Sequence, residues 1–458
     1  MTRARASRSR SGSGSRSRSR YRIFRALVAV LALLVCDARA PGQSFLIEAE
    51  RVYPVDGPPI DGGKVLVRDG RIVAVGQEID RAHLTEGEPA QEIRIAGSLV
   101  PGFVDAASEI GIRGRAADEF RELSPSLRAI DGVDSGDRAF ARALRGGVTT
   151  VGISPLDRNV IGGLGAVVRT RDGSVLAEDA FLEAALTPAT YSGNRTLRSS
   201  SPSTYEYRIP TTRMGSVFVL RRALIEALDP GRTPDAAAAG AARDPSDPFV
   251  ADAEFADVGA LGDMLGEEDE EIIRRAVRGE MPLRIWADYY QEVAATFHLM
   301  EEFDAKVQIL GGSEIVGMVG RIAAAGIPVI LIPGPNVRDA DLEAHPRYSA
   351  RVPARLAEAG VRLAFASRDA NVVQRLRERV ALSLRFGLSA DDALEALTLG
   401  GAEVLGVADR IGSISPGKDA DLVALSGEPL GLTSGVLWVM AGGEIFPGSP
   451  ESEQSAQD

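Results

Sequence analysis

Cysteine and histidine are almost absent from this chain of 458 residues, which has one Cys and three His. The lone cysteine, Cys36, lies near the N-terminus. A mature chain beginning after it has no disulfide, no Cys-ligated zinc and no thiol nucleophile. The histidines are scattered. His83 lies in a β-like region, His298 within a helical stretch (Ala-Thr-Phe-His-Leu-Met) and His345 in a Pro-containing loop. Isolated in this way, they read as surface or packed side chains, and three separate imidazoles cannot build a first metal shell.

Positive charge is confined to one end. Residues 1–42 hold ten arginines against a single acid, Asp37, a net +9 within a chain of formal charge −12. The remainder therefore carries −21, a balance that favours solubility and repels nucleic acid and anionic membrane. The apolar run Ala26–Val35 follows an Arg/Ser-rich stretch. It is too short to span a bilayer but suits the core of a signal peptide, so export is expected, to the periplasm or cell envelope. Cleavage fits either Ala38-Arg39-Ala40 or Ala40-Pro41-Gly42. An uncleaved segment would leave a membrane tether through residues 26–36. Cys36 as a lipid-attachment site is less favoured, because Val35 before it is bulky.

Short runs such as Phe45–Tyr53, Lys64–Arg68 and Arg71–Val75, separated by Asp-Gly and Gly-Gly pairs, predict β-hairpins. From residue 99 apolar strands alternate with helical stretches. The strands are Leu99–Val104, Thr149–Ser154, Leu283–Ala287, Lys306–Leu310, Pro328–Ile332 and Arg362–Ala366. The helices include Gln291–Phe303, Glu314–Ala325, Pro353–Ala359 and one capped by Ser389. That alternation points to parallel strands with crossover helices, and at this length to an α/β fold with a TIM-like (β/α)8 barrel. Strand character returns in Asp421–Leu425 and Val436–Met440. The simplest account is a small composite β-sandwich domain built from both chain ends. The expected division is a targeting segment (1–42), β-sandwich (43–98), barrel (99–408), β-sandwich (409–448) and a disordered tail (449–458). Residues 190–213 and 229–248 read as a long loop and a surface excursion.

Several stretches resemble the amidohydrolase superfamily, in particular its imidazolonepropionase-related branch. Leu99-Val-Pro-Gly-Phe-Val-Asp-Ala106 is similar to the first barrel strand, and Gly146–Val151 with Asn159–Gly165 to the second-strand region. Thr212–Gly215 and Ala324–Val329 also fit. The most specific piece is Ala393–Thr398, Ala402–Gly406 and Ile411-Gly-Ser-Ile-Ser-Pro-Gly-Lys-Asp-Ala-Asp-Leu-Val423. The resemblance implies metal-assisted hydrolysis of non-peptide carbon–nitrogen bonds. Zn or another divalent ion would be held at the barrel mouth by His-x-His after strand one, a His after strand five, a His after strand six and an Asp after strand eight.

Those positions do not carry the family's ligands. They correspond to Ala107-Ser108-Glu109, Trp286 and Gly311. Only Asp369, in Ser367-Arg-Asp-Ala370, matches the family's Ser-Gly-Asp-Ala, with Arg368 a departure from the glycine. If the alignment shifts by one residue, Arg368 has replaced the acid itself. The expectation is a degenerate member with no metal cofactor. It would act as a binding or partner protein toward a small molecule or an active paralogue, with oligomerisation open. Ser108, Trp286, Glu314 and Arg368 are candidate pocket residues, with Trp286 either a plug or a stacking wall. The alternative is an active hydrolase with a rebuilt carboxylate site of Glu109, Glu314 and Asp369, using a hard ion or none. Against it stands ion pairing of the acids, with Arg368 the obvious partner.

Overall fold

The computed structural model describes residues 44–79, 90–112, 117–118, 121–192, 195–197, 205–207, 209–228, 265–334 and 349–448. The targeting segment, the C-terminal tail, His83, His345 and residues 229–248 lie outside these. Among the described residues no helix is long and apolar enough to cross a membrane.

Two eight-stranded sheets organise the chain. The first gathers β1 (Ser44–Val52), β2 (Ile60–Asp61), β3 (Lys64–Arg68), β4 (Arg71–Gly76) and β5 (Gln91–Pro101). The second begins with β6 (Phe103–Ser108), β7 (Val148–Ile153), β8 (Ile161–Arg169) and β9 (Val175–Ala185). A short antiparallel hairpin, β10 (Arg195–Leu197) with β11 (Tyr205–Tyr207), lies inside the stretch expected to be a loop. The second sheet continues through β12 (Leu283–Ala287), β13 (Val307–Gly311), β14 (Val329–Leu331) and β15 (Leu363–Phe365). The last strands, β16 (Leu422–Leu425), β17 (Val436–Ala441) and β18 (Glu444–Pro447), return to the first sheet, where β16 pairs with β5. Both chain ends thus build one sheet, in the order β18-β17-β16-β5-β1-β3-β4 with β2 on β1.

The apolar run from Leu99 divides at Gly102. Leu99, Val100 and Pro101 pair with β16, whereas Phe103 pairs with β7, so the change of sheet falls a few residues beyond 98. A Cβ at Gly102 would lie 2.1 Å from Thr149 Oγ1, so only glycine lets the chain pass between the sheets here.

The barrel sheet runs β6-β7-β8-β9-β12-β13-β14-β15 and nearly closes, with the Arg368 N–H donating to the Ala107 carbonyl at 3.0 Å across the seam. It departs from the expected (β/α)8 pattern in one respect. β8 pairs antiparallel with both β7 and β9, while the other neighbours pair in parallel. β8 and β9 were not distinguished as strands in the sequence because no helical stretch separates them, so the alternation that marks the other strands is missing.

Side chains alternate in and out along these strands. Val104, Ala106, Phe181, Ala185, Trp286, Leu310, Ile330 and Ala364 pack together as one interior cluster. By the same parity Glu183, Arg284 and Gln308 share an interior row, and Arg284 is opposite both of the others in the strand register. The helix Tyr290–Phe303 forms as expected. The predicted helix 314–325 opens instead as a 3-10 turn, Ile315–Met318, before Val319–Ala325, where Gly317 and Gly320 lower helix propensity. Ser389 caps Ala390–Leu397, its Oγ accepting the Asp392 N–H at 3.0 Å.

Candidate functional site

The barrel mouth begins where β6 ends. Ala107 and Ser108 are fully buried and Glu109 is half-buried. Two residues upstream, Asp105 is fully buried and accepts from the Ser367 N–H (2.8 Å), the Ser367 hydroxyl (2.5 Å) and the Ala107 N–H (3.3 Å). Burial pushes its carboxyl up to about 6, against the opposing pull of the hydrogen bonds from Ser367, Ala107 and Ser108. Ser108 Oγ lies 3.4 Å from Ser367 Oγ. The Asp105–Ser367 contacts fix the loop that carries Arg368.

Trp286 and Gly311 behave as a coupled pair. Trp286 is buried among the interior side chains and donates its indole N–H to Asp288 Oδ2 at 3.0 Å. Ser313 Oγ donates to Asp288 Oδ1, also at 3.0 Å. Gly311 has φ +96°, and a Cβ there would lie 2.6 Å from Asp288 Oδ1 and 3.0 Å from Trp286 Nε1. A side chain at residue 311 is therefore excluded by the indole and its acceptor. Trp286 and Gly311, expected from the sequence to stand at the ligand positions of strands five and six, are thus sterically coupled.

Arg368 fills the space between these elements. It sits in left-handed backbone, φ +51°, and is 3% exposed. Its Nη1 lies 3.4 Å from Glu183 Oε1, and its Nη2 lies 3.5 Å from Glu109 Oε1 and donates to the Pro155 carbonyl at 3.1 Å. The guanidinium stands 4.2 Å from the Trp286 ring centroid. Deeper in the barrel, Arg284 is fully buried. It donates to the Ala106 carbonyl (3.0 Å), Ser154 Oγ (3.4 Å) and Gln308 Oε1 (3.3 Å), and stacks 3.5 Å from the Phe181 centroid. Burial pulls its guanidinium down to about 9, opposed by Glu183. Burial pushes Glu183 up, opposed by Arg368 and Arg284. Two cations and two carboxylates thus share the interior.

The remaining sequence candidates do not converge. Asp369 is half-buried, and its Oδ1 accepts the Asn371 N–H (2.8 Å) and Asn371 Nδ2 (3.1 Å), which closes its own turn. Glu314 Oε2 accepts the Tyr290 N–H at 3.4 Å, at the start of the helix Tyr290–Phe303. Beside it Glu292 is fully buried and accepts the Asp288 and Tyr289 N–H groups at 2.9 and 3.1 Å; burial pushes it up to about 8. His298 is exposed on that helix. Glu183, Arg284 and Asp105 have no role in the sequence reading, although charged residues inside the apolar runs 181–186 and 283–287 were a usable signal.

The family's divalent ion would need donors at the mouth that these residues do not supply. At its ligand positions stand a methyl group (Ala107), a carboxylate facing a guanidinium (Glu109), an indole (Trp286), no side chain (Gly311) and an acid that closes its own turn (Asp369). No imidazole is among them, and the charge at the centre is already a cation. This donor set does not fit the family's divalent ion. Among the described residues no three His, Cys, Asp or Glu side chains are grouped so as to hold a metal ion.

The family model "Amidohydrolase family" matches residues 329–445, from β14 to β18. An imidazolonepropionase from Symbiobacterium thermophilum is 27% identical over 394 residues, which span 81% of this chain and 85% of the relative. One from Porphyromonas gingivalis is 51% identical over 43 residues, 9% of this chain and 10% of that protein. An amidohydrolase from Thermotoga maritima superposes with a TM-score of 0.70 at 26% identity, covering 88% of this chain and 100% of that structure. Together with the barrel and the two-ended sheet, these likenesses support the amidohydrolase superfamily, and its imidazolonepropionase-related branch, as the group this chain is similar to.

Proposed function

We propose that this member of a hydrolase family has left the family's metal-assisted reaction and serves as an exported binding or partner protein, its ligand a small molecule or an active paralogue. The observation that carries this reading is the Trp286–Asp288–Gly311 packing. It leaves no volume for a metal-ligating side chain at residue 311. Restoring one ligand would not restore a centre, because the indole fills the adjacent position. Export rests on the sequence of residues 1–42 alone.

A rebuilt carboxylate site has less support. Glu109 faces Arg368, Glu314 meets the Tyr290 backbone and Asp369 meets Asn371, so the three acids are engaged separately.

The test is metal content by plasma mass spectrometry on protein purified without a His tag or chelator, alongside hydrolysis assays on cyclic amides and N-acyl compounds. Metal well below one per chain with no turnover supports the proposal. Near-stoichiometric metal lost on Glu109→Gln or Asp369→Asn overturns it.

A further inference from the structure

We infer that Arg368 is a specificity-determining residue: its tethered guanidinium occupies a cation seat formed by Glu109, Glu183 and the Pro155 carbonyl, and so excludes a divalent ion from it. This rests on the reading of the barrel as metal-free and adds the cause. The three oxygens lie 3.1–3.5 Å from guanidinium nitrogens of one side chain. Two are carboxylates, and all three are hard donors of the kind that Mn²⁺, Mg²⁺ or Ca²⁺ takes.

A second observation points the same way. Glu183 is 2% exposed, and its Oε2 has no hydrogen-bond partner, nor has Arg368 Nε. A guanidinium chosen for its fit to two carboxylates would engage them as a fork at shorter range. Here it balances charge and leaves one buried carboxylate oxygen unsatisfied. The backbone allows the exchange: at φ +51° residue 368 favours glycine, the residue the family carries in this place.

In Arg368→Gly the two carboxylates lose the nearer of their two cations, leaving Arg284 beside Glu183, and the vacated volume opens to solvent and ions. The variant should bind Mn²⁺ at close to one per chain, at least 100-fold tighter than the unmodified protein. Binding is read by loss of the free-Mn²⁺ electron paramagnetic resonance signal and by a rise in Tm with Mn²⁺ that the unmodified protein does not show. Glu183→Gln in the same background should abolish both. Arg368→Asn, which also suits left-handed backbone, repeats the measurement if the glycine variant does not purify. A folded Arg368→Gly or Arg368→Asn protein that binds Mn²⁺ no better than the unmodified chain overturns this inference and leaves the metal-free reading intact. Stoichiometric Mn²⁺ on the unmodified protein overturns both.

Discussion

Two buried clusters in this protein share a composition, arginine between acids, and differ in how fully they are bonded. At the junction of the sheets, Arg169 at the end of β8 reaches Asp419 Oδ2 at 2.5 Å and Asp421 Oδ2 at 3.0 Å. Asp421 also accepts the Gly442 N–H at 2.7 Å, and Arg410 approaches Asp419 at 3.1 Å. Among the described residues, none of the buried side-chain atoms that lack a partner belongs to Arg169, Asp419 or Asp421. In the barrel, Arg368 stands 3.4–3.5 Å from its two carboxylates, and Glu183 Oε2, Arg368 Nε and Arg284 Nη2 remain unbonded. A buried ion pair offsets its desolvation only when its geometry is good and its remaining hydrogen-bonding sites are satisfied. The junction meets that condition and holds the two sheets together. The barrel cluster does not.

The sharpest way to break this contrast is to remove each arginine in turn. Arg169→Met should lower unfolding free energy by about 3–5 kcal/mol, since it strands two buried carboxylates. Arg368→Met should cost less, about 1–2 kcal/mol, because fewer good hydrogen bonds are lost and Glu183 can take up a proton. Urea titrations at neutral pH that return equal losses would refute the comparison.

Gly311→Ala tests the packing that closes the mouth. A methyl group 2.6 Å from Asp288 Oδ1 on left-handed backbone should destabilise by about 1–3 kcal/mol, and a thermal shift near zero would mean that Trp286 yields.

Glu292 probes the same mouth through pH. Its carboxyl is raised from 4.5 to about 8, so between these values the folded state holds a proton that the unfolded chain has released. Its contribution to stability should therefore fall as pH rises from about 4.5 to about 8. Glu292→Gln should flatten that slope and gain on the unmodified protein at pH 9 relative to pH 5. An unchanged slope in denaturant midpoints would place the carboxyl's titration elsewhere. The smallest effect expected is that of Ser389→Ala, about 1 kcal/mol, from loss of a helix cap remote from both clusters.

The cap was legible because a cap is local. The run Ile411–Val423 was legible too, and Asp419 and Asp421 within it turn out to be the acids of the tight junction. The split at Gly102 and the antiparallel β8 were not, because neither changes the apolar run that signals a strand. Glu314 and Asp369 looked available as mouth carboxylates, since sequence gives the residue type near a strand end but not the backbone N–H groups that compete for it.

The sequence by itself determined the likeness to the amidohydrolase superfamily, the alternation that builds the barrel, the two-ended sheet and the scarcity of histidine, since all of these are carried by residue type and order. Only the tertiary structure decided which of these residues meet. Trp286 and Gly311 lie 25 positions apart and Arg368 meets Glu183 across 185. The volume an indole denies to its neighbour, and the charge a guanidinium supplies to two carboxylates, exist only once the strands that carry them close into a barrel.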